Sequence, residues 1–276
     1  MEGGISCASL KEIVLSNEQA WVKMQEKRRG MVFGVAFLAG FLLGCASAPE
    51  QIVVPTTGAV YAQMEAQQVE MRQKLREDYP ALSEEALEAM FSVSRAFFVT
   101  QSAWFRAYDD LALPIGSGQM TLRLSDTAFI LSEVEFKPRA KILEIGTGTG
   151  YFTTVLSRLA WEVYSVEIME YLSEVARQWV ERLSLPNVKL RVGDGSKGWA
   201  RYAPYDGIVV TAAVKAIPDA YMAQLQEGGF LAIPLTDGIS LTEILVYEKK
   251  DGVLVEKARR RAPVSEMLIP DEGDSR

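Results

Sequence analysis

From Lys141 onward, short apolar runs alternate with helix-like stretches, and this alternation constrains the fold more than any other feature. Lys141–Ile145 (KILEI), Glu162–Val166 (EVYSV), Val188–Val192 (VKLRV) and Gly207–Thr211 (GIVVT) read as strands. Gly150–Leu159 and Tyr171–Leu183 read as helices between them, and Pro218–Gln226 as a helix after the fourth run. Gly229–Pro234 (GFLAIP) and Glu243–Lys249 (EILVYEK) complete the strands. GIVVT is almost wholly apolar, which suits a strand covered on both faces. Strands alternating with helices form βαβ units, and right-handed crossovers assemble these into a mostly parallel sheet with helices on both faces. The expected fold class is therefore α/β, with ligands binding beyond the strand C-termini. Arg259-Arg260-Arg261 reads as a solvated charged stretch.

Upstream, Gly58–Glu77 is rich in Ala, Gln, Glu, Met and Arg, all good helix formers. Val60, Met64, Met71 and Leu75 recur near helical spacing and give one apolar stripe. Pro80 ends this stretch. Ser83 is a suitable N-cap for a second helix running to about Ser94, with Glu84 and Glu85 in its first turn.

The start of the chain has a different character. Met31–Cys45 (MVFGVAFLAGFLLGC) is an apolar or small-residue run preceded by Lys27, Arg28 and Arg29. At about 1.5 Å per residue it is short for a hydrocarbon core of roughly 30 Å. A basic stretch, a short apolar core and small residues at its end form a signal-peptide pattern. Leu42-Leu43-Gly44-Cys45 resembles a bacterial lipobox, in which the Cys is lipidated and becomes the mature N-terminus. Residues before Met24 fit this pattern poorly, so Met24 is the expected start. Ala46–Thr57 (ASAPEQIVVPTT) reads as a tether. The expected location is a lipid anchor on a bacterial membrane at its periplasmic face, or the cytoplasm if the signal is not used.

Composition narrows the chemistry. There is no His, which excludes Ser-His-Asp and Cys-His catalysis and any His-ligated metal. Two Cys, Cys7 and Cys45, cannot build a thiolate cluster. A net charge of −7 argues against nucleic acid as a partner, since phosphate binding needs a basic face. No metal is expected. Carboxylates, hydroxyls, backbone amides or a bound cofactor must supply the chemistry.

The turn after the first strand reads Glu144-Ile-Gly146-Thr-Gly148-Thr-Gly150. Its glycine spacing differs from the dinucleotide fingerprint GxGxxG. Glu144 would sit badly against a phosphate and well against a cation. Glu167 ends the second strand, where an acid can accept from both ribose hydroxyls. Asp194 follows the third strand and could accept from an adenine amino group. Three acids at three strand ends describe a pocket for a positively charged adenosine derivative, and S-adenosylmethionine fits. Each acid could equally be a helix cap or a surface residue. Tyr151 and Trp199 could line the pocket or pack in the core.

The chain resembles the protein-L-isoaspartate (D-aspartate) O-methyltransferases, within the class I S-adenosylmethionine-dependent methyltransferases. The resemblance spans roughly Arg72 to Pro234. It rests on AYDDLALPIGSGQ (Ala107–Gln119), LEIGTGTGYF (Leu143–Phe152), VYSVE (Val163–Glu167), NVKLRVGDGSKGW (Asn187–Trp199), APYDGIVVTAAVKAIP (Ala203–Pro218) and GGFLAIP (Gly228–Pro234). LPIGSGQ and GDGSKGW are specific to this family. The resemblance implies a Rossmann-like fold with an N-terminal helical segment. It implies methyl transfer to the α-carboxylate of isoaspartyl residues in damaged proteins, whose ester then collapses to a succinimide. The implied cofactor-binding residues are Glu144, Gly146, Thr147, Gly148, Gly150, Glu167, Asp194, Gly195 and Thr211. The division that follows is an extension and signal peptide over 1–44, a tether over 45–57, a helical segment over 58–106 and a methyltransferase domain over 107–276.

The chain departs from the family on the substrate side. Members read GQTISQP after the conserved Gly, with a Ser regarded as the active-site residue. Here Gly118 is followed by Gln-Met-Thr-Leu122-Arg-Leu-Ser125, so Leu122 replaces that Ser. Thr121 is then the candidate catalytic hydroxyl, after a one-residue shift of the loop. The family's Arg-His becomes Arg95-Ala96. These changes keep a second reading open: a lipoprotein with the methyltransferase fold and a changed substrate, or no catalysis.

Overall fold

A computed structural model describes residues 58–238 and 242–262, with side chains from residue 63 on. The signal-like segment, Cys45 and the tether lie outside the described residues, as does Val60's side chain. The described residues from Tyr61 on form one compact unit.

A seven-stranded sheet organises this unit, in the order β5-β4-β3-β6-β7-β8-β9. Its strands are β3 (Lys141–Ile145), β4 (Glu162–Glu167), β5 (Val188–Val192), β6 (Tyr205–Val210), β7 (Leu225–Thr236), β8 (Thr242–Lys250) and β9 (Val253–Ala262). The first five pair in parallel. β8 and β9 add an antiparallel edge. A separate two-stranded hairpin, β1 (Pro114–Gly116) with β2 (Gln119–Met120), precedes the sheet. The chain steps outward from β3 through β4 to β5, then crosses back to β6 on the other side of β3. That reversal parts the loops beyond β3 and β6, and a crevice opens there.

The α/β expectation holds, and helices Tyr151–Leu159, Glu170–Arg182 and Asp219–Gln224 fall within two residues of the expected bounds. The apolar strands bury their side chains because both faces are covered. Leu143, Ile145, Tyr164, Val166, Ile208 and Val210 belong to one core cluster. Gly207, which alternates with Ile208 and Val210 to the other face, makes room for Phe230, since a Cβ there would lie 2.2 Å from Phe230 Cζ.

β9 is a correction. Arg259 and Arg261 are exposed, as a solvated stretch requires, but all three arginines lie on a strand, and Arg260 is half-buried. Charged side chains are what an edge strand carries to block further pairing, and they hide the strand pattern. Arg260 donates to Ser125 O at 2.9 Å and Ser125 Oγ at 3.0 Å, and so clamps the start of helix Leu124–Glu133.

Helix Gly58–Asp78 buries Met64, Met71 and Leu75 as its stripe requires. Ser83 caps the next helix, Glu84–Phe91, by accepting from Ala86 N at 3.1 Å. Arg72 and Arg76 cross to Glu84. Beyond this pair of helices, Phe97 stacks on Trp179 and Phe98 packs tilted against it, at 5.4 and 5.2 Å between ring centroids. Tyr151 Oη donates to Met90 O at 2.7 Å. The helical segment thus packs directly on the helices covering the sheet.

Candidate active site

The turn after β3 is shaped by its glycines. Gly146 has φ +95°, and a Cβ there would meet Thr211 Oγ1 at 2.3 Å. Thr211, at the end of β6, donates to Gly146 O at 2.6 Å and closes the turn across the parting strands. Gly148 N donates to a Glu167 carboxylate oxygen at 2.8 Å, and Met169 N donates to the other at 3.0 Å. One carboxylate therefore fixes both the Gly-rich turn and the start of helix Glu170–Arg182.

Beyond these strand ends lies a crevice of about 340 Å³. Ile145, Val166, Leu172 and Val210 give it an apolar floor, and Ile115 and Met120 of the hairpin form part of its wall. Gly146, Gly148, Glu167, Asp194, Gly195 and Thr211 all line it. Asp194 does two jobs. It caps the short turn Gly195–Lys197 by accepting from Ser196 N at 2.9 Å and Ser196 Oγ at 2.7 Å. These hydrogen bonds, with Lys197 beside them, hold its carboxyl below the usual aspartate range.

Glu144 is the main correction. Its neighbour Ile145 faces the crevice, so Glu144 faces the other side of the strand, where it is 0 % exposed. One oxygen accepts from Thr153 Oγ1 at 2.5 Å and Ser165 Oγ at 2.6 Å. The other has no partner among the described residues. Burial pushes this carboxyl up to about 8, against the pull of the Ser165 and Thr153 hydroxyls. Thr147 is also buried away from the crevice, within 2.5 Å of Ser165 Oγ. Since Ser165 donates to Glu144, Thr147 donates to Ser165. Glu144 is thus an internal anchor for the turn. Gly150 serves packing, as its missing Cβ would stand 3.3 Å from that of Ala176. Tyr151 is buried against Phe98, and Trp199, half-buried, packs on the core against Tyr164 and Tyr202.

Thr121 does not line the crevice; Gln119 and Met120 do. Its Oγ1 accepts from Arg95 Nη2 at 2.6 Å and from Leu113 N at 3.1 Å. Leu122 offers only its carbonyl, also to Arg95. Ser125 is held by Arg260 and Asp110. No hydroxyl of residues 120–125 reaches the crevice wall.

The donor set tests the expected cofactor. Among the described residues, no Lys or Arg lines the crevice. Two acids at adjacent strand tips and apolar walls fit an uncharged nucleoside carrying a cationic tail. Sequence reading missed Ile168, which lines the crevice yet is 51 % exposed. An isoleucine directly after the strand-tip acid was the available signal.

The model of the family "Protein-L-isoaspartate(D-aspartate) O-methyltransferase" matches residues 66–264. This chain belongs to that family. The protein-L-isoaspartate O-methyltransferase of Alkalilimnicola ehrlichii is 41% identical over 192 residues, covering 69% of this chain and 85% of the relative. A solved protein-L-isoaspartate O-methyltransferase superposes with a TM-score of 0.63 at 29% identity, over 73% of this chain and 67% of that one. A beta-aspartate methyltransferase from Plasmodium falciparum, solved with S-adenosyl-L-homocysteine, shares the fold at a TM-score of 0.57 and 16% identity, over 72% and 94% of the two chains.

Proposed function

We propose that this chain transfers a methyl group from S-adenosylmethionine to the carboxylate of L-isoaspartyl or D-aspartyl residues in damaged proteins. The observation that carries this is the crevice itself: Glu167 and Asp194 at adjacent strand tips, with the Gly146–Gly148 turn beside them, in a chain of this family. When bound, the cofactor supplies a methyl activated by a sulfonium. Glu167 and Asp194 would hold its hydroxyl and amino groups. The accepting carboxylate is ionised at neutral pH, so no general base is needed, and a chain without His suffices. The apolar wall of Ile115, Met120 and Ala213 strips water from that carboxylate and orients it. The purified chain, incubated with labelled S-adenosylmethionine and an isoaspartyl peptide, is expected to form a base-labile methyl ester. No ester above a heat-killed control would overturn the reading.

The sequestered Thr121 hydroxyl favours one second reading, transfer to a different carboxylate. Tight S-adenosylhomocysteine binding without isoaspartyl turnover would select it.

The Lys27–Arg29 stretch, the apolar run and Cys45 support a lipid anchor at the periplasmic face of a bacterial membrane, following cleavage before Cys45. Among the described residues, no helix is long and apolar enough to cross a membrane. Intact-mass analysis of the native protein is expected to show an acylated Cys45 N-terminus. An N-terminus upstream of Cys45 would exclude it.

A further inference from the structure

Arg95 is 0 % exposed and forms no ion pair among the described residues. The nearby acids are engaged elsewhere: Asp109 with Arg106, and Asp110 with Ser125 N. A cation taken out of water without a counter-ion is costly, and an apolar side chain of similar volume would fill the space more cheaply. The compensation comes from one segment. Nη1 donates to Ala107 O at 2.9 Å and Asp109 O at 3.4 Å. Nη2 donates to Leu111 O at 2.9 Å, Thr121 Oγ1 at 2.6 Å and Leu122 O at 2.8 Å. Tyr151 lies beneath the guanidinium, 5.9 Å from its ring centroid. Nη2 thus spans the segment just before β1 and the segment just after β2. Leu113 and Thr121 close the same ladder, with Thr121 N donating to Leu113 O at 2.9 Å. The tip so held carries Ile115, Gln119 and Met120 to the crevice wall.

We propose that Arg95 is the positioning residue of the substrate side, and that Thr121 is its anchor point and not a reacting hydroxyl. Arg95 touches neither crevice nor cofactor. It acts by fixing where the hairpin stands. The kinetic arm of this proposal rests on the isoaspartyl reading; the loop-order arm does not.

The test compares the full-length chain with Thr121→Val, Thr121→Ser and Arg95→Met. Three quantities are read: S-adenosylhomocysteine affinity by calorimetry, kcat and KM on an isoaspartyl peptide, and amide hydrogen exchange over residues 107–122. In Thr121→Val, peptide KM is expected to rise about tenfold, the size of one lost hydrogen bond to a charged group. kcat and cofactor affinity should stay within about threefold, and loop exchange should speed by roughly the same tenfold. Thr121→Ser, which keeps the hydroxyl, should match the wild type. Arg95→Met should move the same quantities further. Thr121→Val decides the matter if Arg95→Met does not fold. A kcat loss at unchanged KM in Thr121→Val would make the hydroxyl a chemical participant and overturn the proposal. Unchanged exchange over 107–122 would overturn it as well. If the wild type fails to turn over the peptide, the substrate reading falls, and the exchange comparison still decides the role of Arg95.

Discussion

In Glu167→Ala, S-adenosylhomocysteine affinity is expected to fall by about two orders of magnitude or more. The carboxylate holds two things at once. Its oxygens accept from Gly148 N and Met169 N, and its side chain lines the crevice. Alanine deletes the acceptors for a ligand's hydroxyls. It also leaves two part-buried amide donors unmatched, so the turn and the helix start lose their common tie. Two hydrogen bonds to a charged group are worth about 1.5–3 kcal/mol each, and tenfold in affinity is about 1.4 kcal/mol. Glutamine does not rescue, because its NH₂ must face one of the two backbone N–H groups. Calorimetry checks this directly. Binding within threefold of the wild type would mean that the strand-tip acids do not hold the cofactor.

The fold was legible because its signals are local. KILEI, EVYSV and VKLRV are apolar enough to mark strands without tertiary information, and the glycines after KILEI and VKLRV mark their ends. β9 was not legible, because its arginines satisfy an edge position and a long-range clamp on Ser125 that spacing cannot show. The same limit explains the site. Period-two alternation puts Ile145 and Glu144 on opposite faces of β3, but one sequence does not say which face the crevice takes. The charge of Glu144 invited a ligand-facing role. Thr153 on the following helix and Ser165 on β4 claim it instead. The role of Arg95 depends on acceptors twelve to twenty-seven residues away, and no local motif announces them.

Glu144 has a consequence for pH. Its carboxyl titrates near 8 in the folded chain, against an ordinary value of 4.5. Between those values the folded state holds a proton that the unfolded state has released. Stability then falls as pH rises, because the slope follows protons bound unfolded minus protons bound folded. The contribution is complete below about 4.5 and is progressively lost up to about 8. At about 1.4 kcal/mol per pH unit, the loss across the window is roughly 4 kcal/mol. Glu144→Gln keeps an oxygen for Thr153 and Ser165 and cannot ionise. Its unfolding free energy should therefore lack this slope. Near pH 5 the two proteins should be about equally stable, whereas at pH 8 the glutamine variant should exceed the wild type by a few kcal/mol. Urea unfolding at both pH values measures the difference, and every other titrating group cancels in the comparison. Parallel pH profiles for the two proteins would show that Glu144 is already ionised in the fold. The anchor of the Gly-rich turn would then be a buried charge and not a neutral acid.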